Sequence, residues 1–275
     1  MSEPKSQLQG GAPAYGAPQS HEQQAAEEPA RLGPLQRLGG TLFSPGETFE
    51  DVNRKPTFIV PIIIAMVVAV ASTTFFEWRV KPDWDQIMRN QVKKRVEKSG
   101  QSLTPEQIQQ QVDIGKTIAK FTPLIAVVFT PIIYVILAGI YALGMMFIQA
   151  KTTFKKILSV VAWTSAATGI VATIVTVAVL MVRDPSELRT LDPSQFGSIA
   201  PTNIGAFLAS DAAAALRALA SSIDVFSIWW LILLSIGFAA IAGSKKITSS
   251  KTGAVVFGFF AIWVVIKVAW AALVG

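Results

Sequence analysis

The sequence predicts an all-α fold: a polytopic membrane protein with five transmembrane helices and short interfacial amphipathic helices. Three observations carry the prediction. Two uncharged apolar runs, residues 124–148 and 157–182, are 25 and 26 residues long and almost adjacent. Each exceeds the roughly 20 residues that cross a ~30 Å hydrocarbon core, and no soluble domain buries two all-round apolar helices side by side. Composition agrees, with 51% apolar residues, 15% charged residues and a mean hydropathy of +0.47, where soluble domains carry about 25% charge. Finally, the connector 149–156 holds Lys151, Lys155 and Lys156 and is too short to translocate alone, which marks it as cytoplasmic by the positive-inside rule.

Charge and cysteine usage narrow the function. The net charge is +6, but the basic residues lie in loops between apolar runs, so the expected partners are the lipid bilayer and its anionic headgroups, not nucleic acid. With no cysteine and a single histidine, His21, disulfides, thiolate nucleophiles and cysteine or histidine zinc sites are excluded.

Residues 1–33 read as a disordered tail ahead of a membrane domain spanning 34–275. Residues 1–30 contain no Val, Ile or Phe and cannot bury enough surface to offset chain entropy; His21 and Tyr15 are solvated there, and no signal-peptide pattern is present. From Arg31, Leu32, Leu35, Leu38, Leu42 and Phe43 recur at helical spacing beside Arg37, as in a helix lying in the headgroup plane. Ser44-Pro-Gly-Glu47 then reads as a capping box opening a helix with Phe49 and Val52 on one face and Glu50, Asp51 and Arg54 on the other. The alternative is a plain connector.

Span one covers about 58–75, with a small-residue stripe at Ala65, Ala69 and Thr73. The polar loop 77–122 carries Trp84, Ile87, Met88, Val92 and Val96 on one helical face, with basic residues including Lys93, Lys94 and Arg95 mostly elsewhere. Thr104-Pro-Glu-Gln107 opens a second helix. The loop is either a lipid- or partner-binding paddle or a helical hairpin covering the bundle end. Span two, 123–149, contains Pro131, which removes one backbone hydrogen bond and predicts a kink. Span three, 157–182, presents Ser165, Gly169 and Thr173 as a packing face. A second polar loop, 183–222, has turn signals at Pro185, Pro193 and Pro201, then a helix capped at Ser210 or Asp211. Spans four (223–243) and five (252–273) flank a short loop with Lys245, Lys246 and Lys251.

Both short loops are lysine-rich and two spans apart, so they share the cytoplasmic side. That places the N-terminus inside and the C-terminus outside. The nine Lys and Arg residues of loop 77–122 oppose this orientation.

No HExxH, paired intramembrane aspartates, nucleophile elbow or phosphate loop occurs, so no enzyme, catalytic residue, metal or cofactor is expected. Lys267, well inside span five, is the one functional candidate by position. Level with Trp229 or Trp230, it can reach outward to Asp224 with a tryptophan face as secondary partner, or snorkel to headgroups. Aromatic belts and helix packing account for Trp229, Trp230, Trp263 and Trp270. Lys93, Lys94, Arg95, Lys155, Lys156, Lys245 and Lys246 are the expected lipid-facing cations.

Three stretches together resemble the Yip domain family, the Ypt/Rab-interacting membrane proteins: Leu42-Phe-Ser-Pro-Gly-Glu-Thr-Phe49, Thr153-Phe-Lys-Lys-Ile-Leu-Ser-Val-Val-Ala162, and Ile223 to Phe238 with its Asp-x-Phe-x-x-Trp start and mid-helix glycine. The resemblance covers about residues 40–273 and is nearest the bacterial branch, which implies five spans, a cytoplasmic N-terminus and no catalytic residues. Where many members carry Tyr and then Pro, this chain has Trp163 and Ala166-Ala167, and a Tyr-Gly-Pro motif of the Rab-binding members is lacking. The function expected is a non-enzymatic scaffold or adaptor for membrane organisation, for partner membrane proteins or for self-association. The alternative is a small-solute transporter or channel. A mid-membrane cavity lined by Lys267, Thr168, Thr173 and Thr176 favours transport, and a solid core favours the scaffold.

Overall fold

The structure, a computed structural model, describes residues 31–100, 102–191, 199–209 and 212–274. The expected disorder of 1–30 and the cap at Ser210 or Asp211 lie outside the described residues. The helices are α1 (Pro34–Phe43), α2 (Pro45–Arg54), α3 (Ile59–Val80), α4 (Trp84–Ser99), α5 (Pro105–Lys120), α6 (Thr122–Phe147), α7 (Phe154–Val182), α8 (Pro185–Leu188), α9 (Ala214–Ala220), α10 (Val225–Ile241) and α11 (Ser249–Val274), with a 3₁₀ turn at Ile204–Phe207 before α9. Among the described residues β-structure is limited to one bridge, Asn203 with Asp224. The chain is an all-α polytopic membrane protein.

α3, α6, α7 and α11 are long and apolar enough to cross a membrane, at 22, 26, 29 and 26 residues. α10 is shorter than expected, with 17 residues. Its start is fixed by Asp224, whose Oδ1 accepts from the backbone N–H groups of Phe226 and Ser227 at 2.9 and 3.0 Å. Its end is fixed by Gly243, where φ is +69° and an added Cβ would collide with the Lys151 carbonyl. α3, by contrast, outruns its predicted end at 75. Phe75, Phe76 and Val80 carry its apolar face upward to meet Leu180, Leu188 and Ile199. α6 runs unbroken through Pro131, and the Thr130 hydroxyl in the preceding position donates to the Ala126 carbonyl at 2.7 Å.

The predicted capping box at Ser44 does not form. Ser44 also terminates α1, donating its N–H to the Gly40 carbonyl, so its backbone is held away from N-cap geometry and its side chain makes no cap bond. The box at Thr104 does form, with Gln107 N–H donating to Thr104 Oγ1 at 3.3 Å and Thr104 N–H to Gln107 Oε1 at 2.9 Å.

The bundle is densely packed at one end. There Phe49 and Val52 of α2 enter a core with Tyr141, Met145, Val160, Val161, Trp163, Leu234 and Phe238. A Cβ at Gly237 would stand 2.5 Å from Val160 Cγ1 and 3.2 Å from the Phe49 ring, so the mid-helix glycine admits α7 most closely and leaves room for the α2 ring beside it. The two lysine-bearing connectors meet at this end, where Lys151 N–H donates to the Ala242 carbonyl at 2.9 Å. At the other end α4 and α5 form a helical hairpin. Ile87, Val92 and Val112 are buried there, and Asp85 binds Arg89 at 2.5 Å and Lys116 at 3.0 Å. Those two cations hold the Asp85 carboxyl below the usual range.

Candidate functional site

Two regions hold buried or converging polar groups, one at each end of α7. At the packed end, Arg37 and Asp51 are 2% and 3% exposed. Arg37 Nε and Nη2 reach Asp51 Oδ2 at 2.9 and 2.8 Å, and Nη1 donates to Thr57 Oγ1 at 2.6 Å. Thr57 also accepts from Trp163 Nε1 at 3.4 Å, while the guanidinium lies 5.8 Å from the Trp163 ring centroid. Burial raises the Asp51 pKa, but the Arg31 and Leu32 N–H groups and the Arg37 charge outweigh it, leaving the carboxyl below its ordinary value. The sequence read Arg37 as part of a helix in the headgroup plane and put Asp51 on the face opposite Phe49 and Val52. A helix-by-helix reading cannot see that α1 and α2 fold on each other, with Leu35 and Phe43 outward at 81% and 83% exposed and Arg37 inward. α1 thus turns Leu38 and Arg37 toward the bundle and leaves Leu35 and Phe43 outside it. Its outward apolar side chains are suited to acyl chains.

At the opposite end the bundle is hollow. A cavity of about 610 Å³ opens between α3, the α5–α6 junction and α7, lined by Thr73, Phe76, Glu77, Lys120, Thr173 and Leu180 among others. A second, about 300 Å³, is bounded by Ala172, Thr176, Asn203, Ser221 and Asp224. A third, about 230 Å³, is bounded by Ser165, Thr168, Gly169, Ala172 and Trp230. All three touch Ala172. An added Cβ at Gly169 meets nothing within 4 Å, so open space lies beside Gly169, while Ser165 on the same stripe meets Trp230 of α10. The first of these is well within the range of ligand pockets, about 300–1,000 Å³, the second is at its lower edge and the third is below it.

Lys267 borders none of these three cavities. Its Nζ donates to Ser221 Oγ and Ser222 Oγ, each at 3.0 Å. The two hydroxyls donate in turn to the Ala218 carbonyl at 3.2 and 2.8 Å, which turns their lone pairs to the ammonium. The expected partner Asp224 is engaged instead as the α10 cap, and it accepts from Thr202 Oγ1 at 2.5 Å. Sequence pattern missed this because Ser221 and Ser222 reach the lysine only once α9 has folded against α11. Trp230 donates from Nε1 to Ser165 Oγ at 2.9 Å and packs with Tyr141, ring centroids 6.3 Å apart. Trp229 is half-buried, and Trp263 and Trp270 are exposed on α11. Among the predicted lipid-facing cations, Lys93, Lys94, Arg95, Lys155, Lys245 and Lys246 are exposed and Lys156 is half-buried. Among the described residues no cluster of three His, Cys, Asp or Glu is placed to hold a metal ion.

The family model for the Yip1 domain matches residues 39–273. No curated protein and no solved structure matches the chain.

Proposed function

The chain belongs to the Yip1 domain family, and from that premise we infer that it acts as a non-enzymatic scaffold or adaptor, organising membrane and holding partner membrane proteins. The observation that carries this reading is the open small-residue face of α7. Ser165, Gly169 and Ala172 border unfilled space beside Phe226 and Trp230, the surface a neighbouring transmembrane helix needs for close approach. The membrane domain extends over 34–275, in a bacterial inner membrane, with the N-terminus cytoplasmic and the C-terminus outside. Lys93, Lys94, Arg95, Lys155, Lys156, Lys245 and Lys246 meet anionic headgroups from the two sides. Lys267 with Ser221 and Ser222, and Asp224 with Thr202, hold the outer loop 199–224 on the bundle, while Trp230 and Pro131 shape its interior.

A photo-crosslinking phenylalanine analogue at Phe226 tests the scaffold reading in native membranes. A discrete protein adduct that disappears in Gly169→Leu and survives Glu187→Gln supports it. Adducts with lipid alone, or adducts indifferent to Gly169→Leu, count against it. The second reading, a small-solute transporter or channel, is favoured by the hollows that Thr168, Thr173 and Thr176 line. Lys267, expected in such a pathway, borders none of them.

A further inference from the structure

We propose that the cavity between α3, the α5–α6 junction and α7 binds one phospholipid with a primary-amine headgroup, of the phosphatidylethanolamine type: its ammonium on Glu77, its phosphate on Lys120, and an acyl chain running down beside α7. The site goes beyond the scaffold reading and does not depend on it. Both charges border the same cavity. The Glu77 carboxylate is half-buried and oriented by Trp84 Nε1, which donates to its two oxygens at 3.1 and 3.4 Å. Among the described residues no cation pairs with Glu77 and no acid pairs with Lys120. A carboxylate withdrawn from water without a counter-charge is costly unless an incoming cation restores one.

Depth fits an amphiphile. Glu77 lies three residues from the end of α3, at headgroup level, whereas Ala172 lies ten residues before the end of α7, so Ala172 is about 10 Å deeper than Glu77 at 1.5 Å per residue. The walls between those levels are apolar or small: Phe76, Val177, Leu180, Thr173 and Ala172. A ligand that satisfies the whole site carries a cation and an anion a few atoms apart above a hydrocarbon chain. Phosphatidylglycerol supplies no cation for Glu77, and the quaternary ammonium of phosphatidylcholine cannot donate a hydrogen bond to it.

The test is native mass spectrometry of the purified full chain, taken from detergent containing equal phosphatidylethanolamine, phosphatidylglycerol and phosphatidylcholine. The expected result is one phosphatidylethanolamine retained about 10-fold over either competitor, the size of one charge-assisted contact. Glu77→Gln keeps an acceptor for Trp84 and lowers that preference about 10-fold, Ala172→Phe abolishes retention by filling the deep part, and Glu187→Gln at an exposed surface pair leaves retention unchanged. Thermal unfolding in the same detergent confirms that each variant is folded, and Glu77→Gln alone decides the matter if Ala172→Phe is not. Equal retention of the three lipids, retention of phosphatidylglycerol alone, no retained lipid, or an unaltered preference in folded Glu77→Gln overturns the proposal.

Discussion

Arg37 and Asp51 are charges removed from solvent before the first long helix begins, and among the described residues they are satisfied by each other, by Thr57, by the Arg31 and Leu32 N–H groups and by the Trp163 ring. Removing one partner leaves the other buried and unpaired, so Asp51→Ala is expected to destabilise by about 3–5 kcal/mol in detergent unfolding, and Arg37→Met/Asp51→Leu together by less than the sum of the single changes. The sign of the pH effect follows from the lowered Asp51 pKa. Its stabilisation is present above the unfolded carboxyl value of about 3.9 and is lost as pH falls through the still lower folded value. Thermal stability is therefore expected to hold down to about pH 4 and then drop, with a smaller drop in Asp51→Asn. At the other end, a double-mutant cycle separates Lys267 from Asp224. Lys267→Met and Ser222→Ala should couple by roughly 0.5–3 kcal/mol, whereas Lys267→Met and Asp224→Asn should add within about 0.5 kcal/mol. The sequence singled out Lys267 and Asp224 as polar positions inside or beside an apolar run, but as partners of each other, which they are not. Their partners were not legible, because they come from α9 and from Thr202, separated from Lys267 and Asp224 by loop conformations that no periodicity encodes.

Among elements, α6, α7, α10 and α11 lie within three residues of their predicted bounds, since length and lack of charge decide them. α3 runs five residues past its predicted end because that end is set by the Val80 cluster and not by hydropathy. The α1–α2 pair was visible as two helices but not as a wedge. What makes it one is Gly237, which lets Phe49 seat between α7 and α10. Gly237→Leu is expected to destabilise the bundle by about 1–3 kcal/mol through overpacking, with loss of the same order in Phe49→Ala, both measured as a shift in thermal unfolding.

For the molecule as a whole, α7 joins two dissimilar halves: residues 157–168 lie almost wholly buried, and residues 172–182 mostly border cavities or lipid. The lysine-bearing connectors share the dense end. Because the chain has no cysteine, single cysteines at Ser102, Thr153 and Ser249 report its orientation with an impermeant maleimide. Positions 153 and 249 are expected to be protected together in intact cells, with 102 labelled; labelling of 153 from outside reverses the topology proposed above. The 17 residues of α10 extend only about 26 Å, against ~30 Å of hydrocarbon, whereas its neighbour α11 extends about 39 Å. Taken as a span, α10 falls about 4 Å short of the hydrocarbon thickness, a mismatch that thinning of the adjacent bilayer relieves and that α11 does not create. Such hydrophobic mismatch costs less where the bilayer is already thin or strained, and there the protein should accumulate.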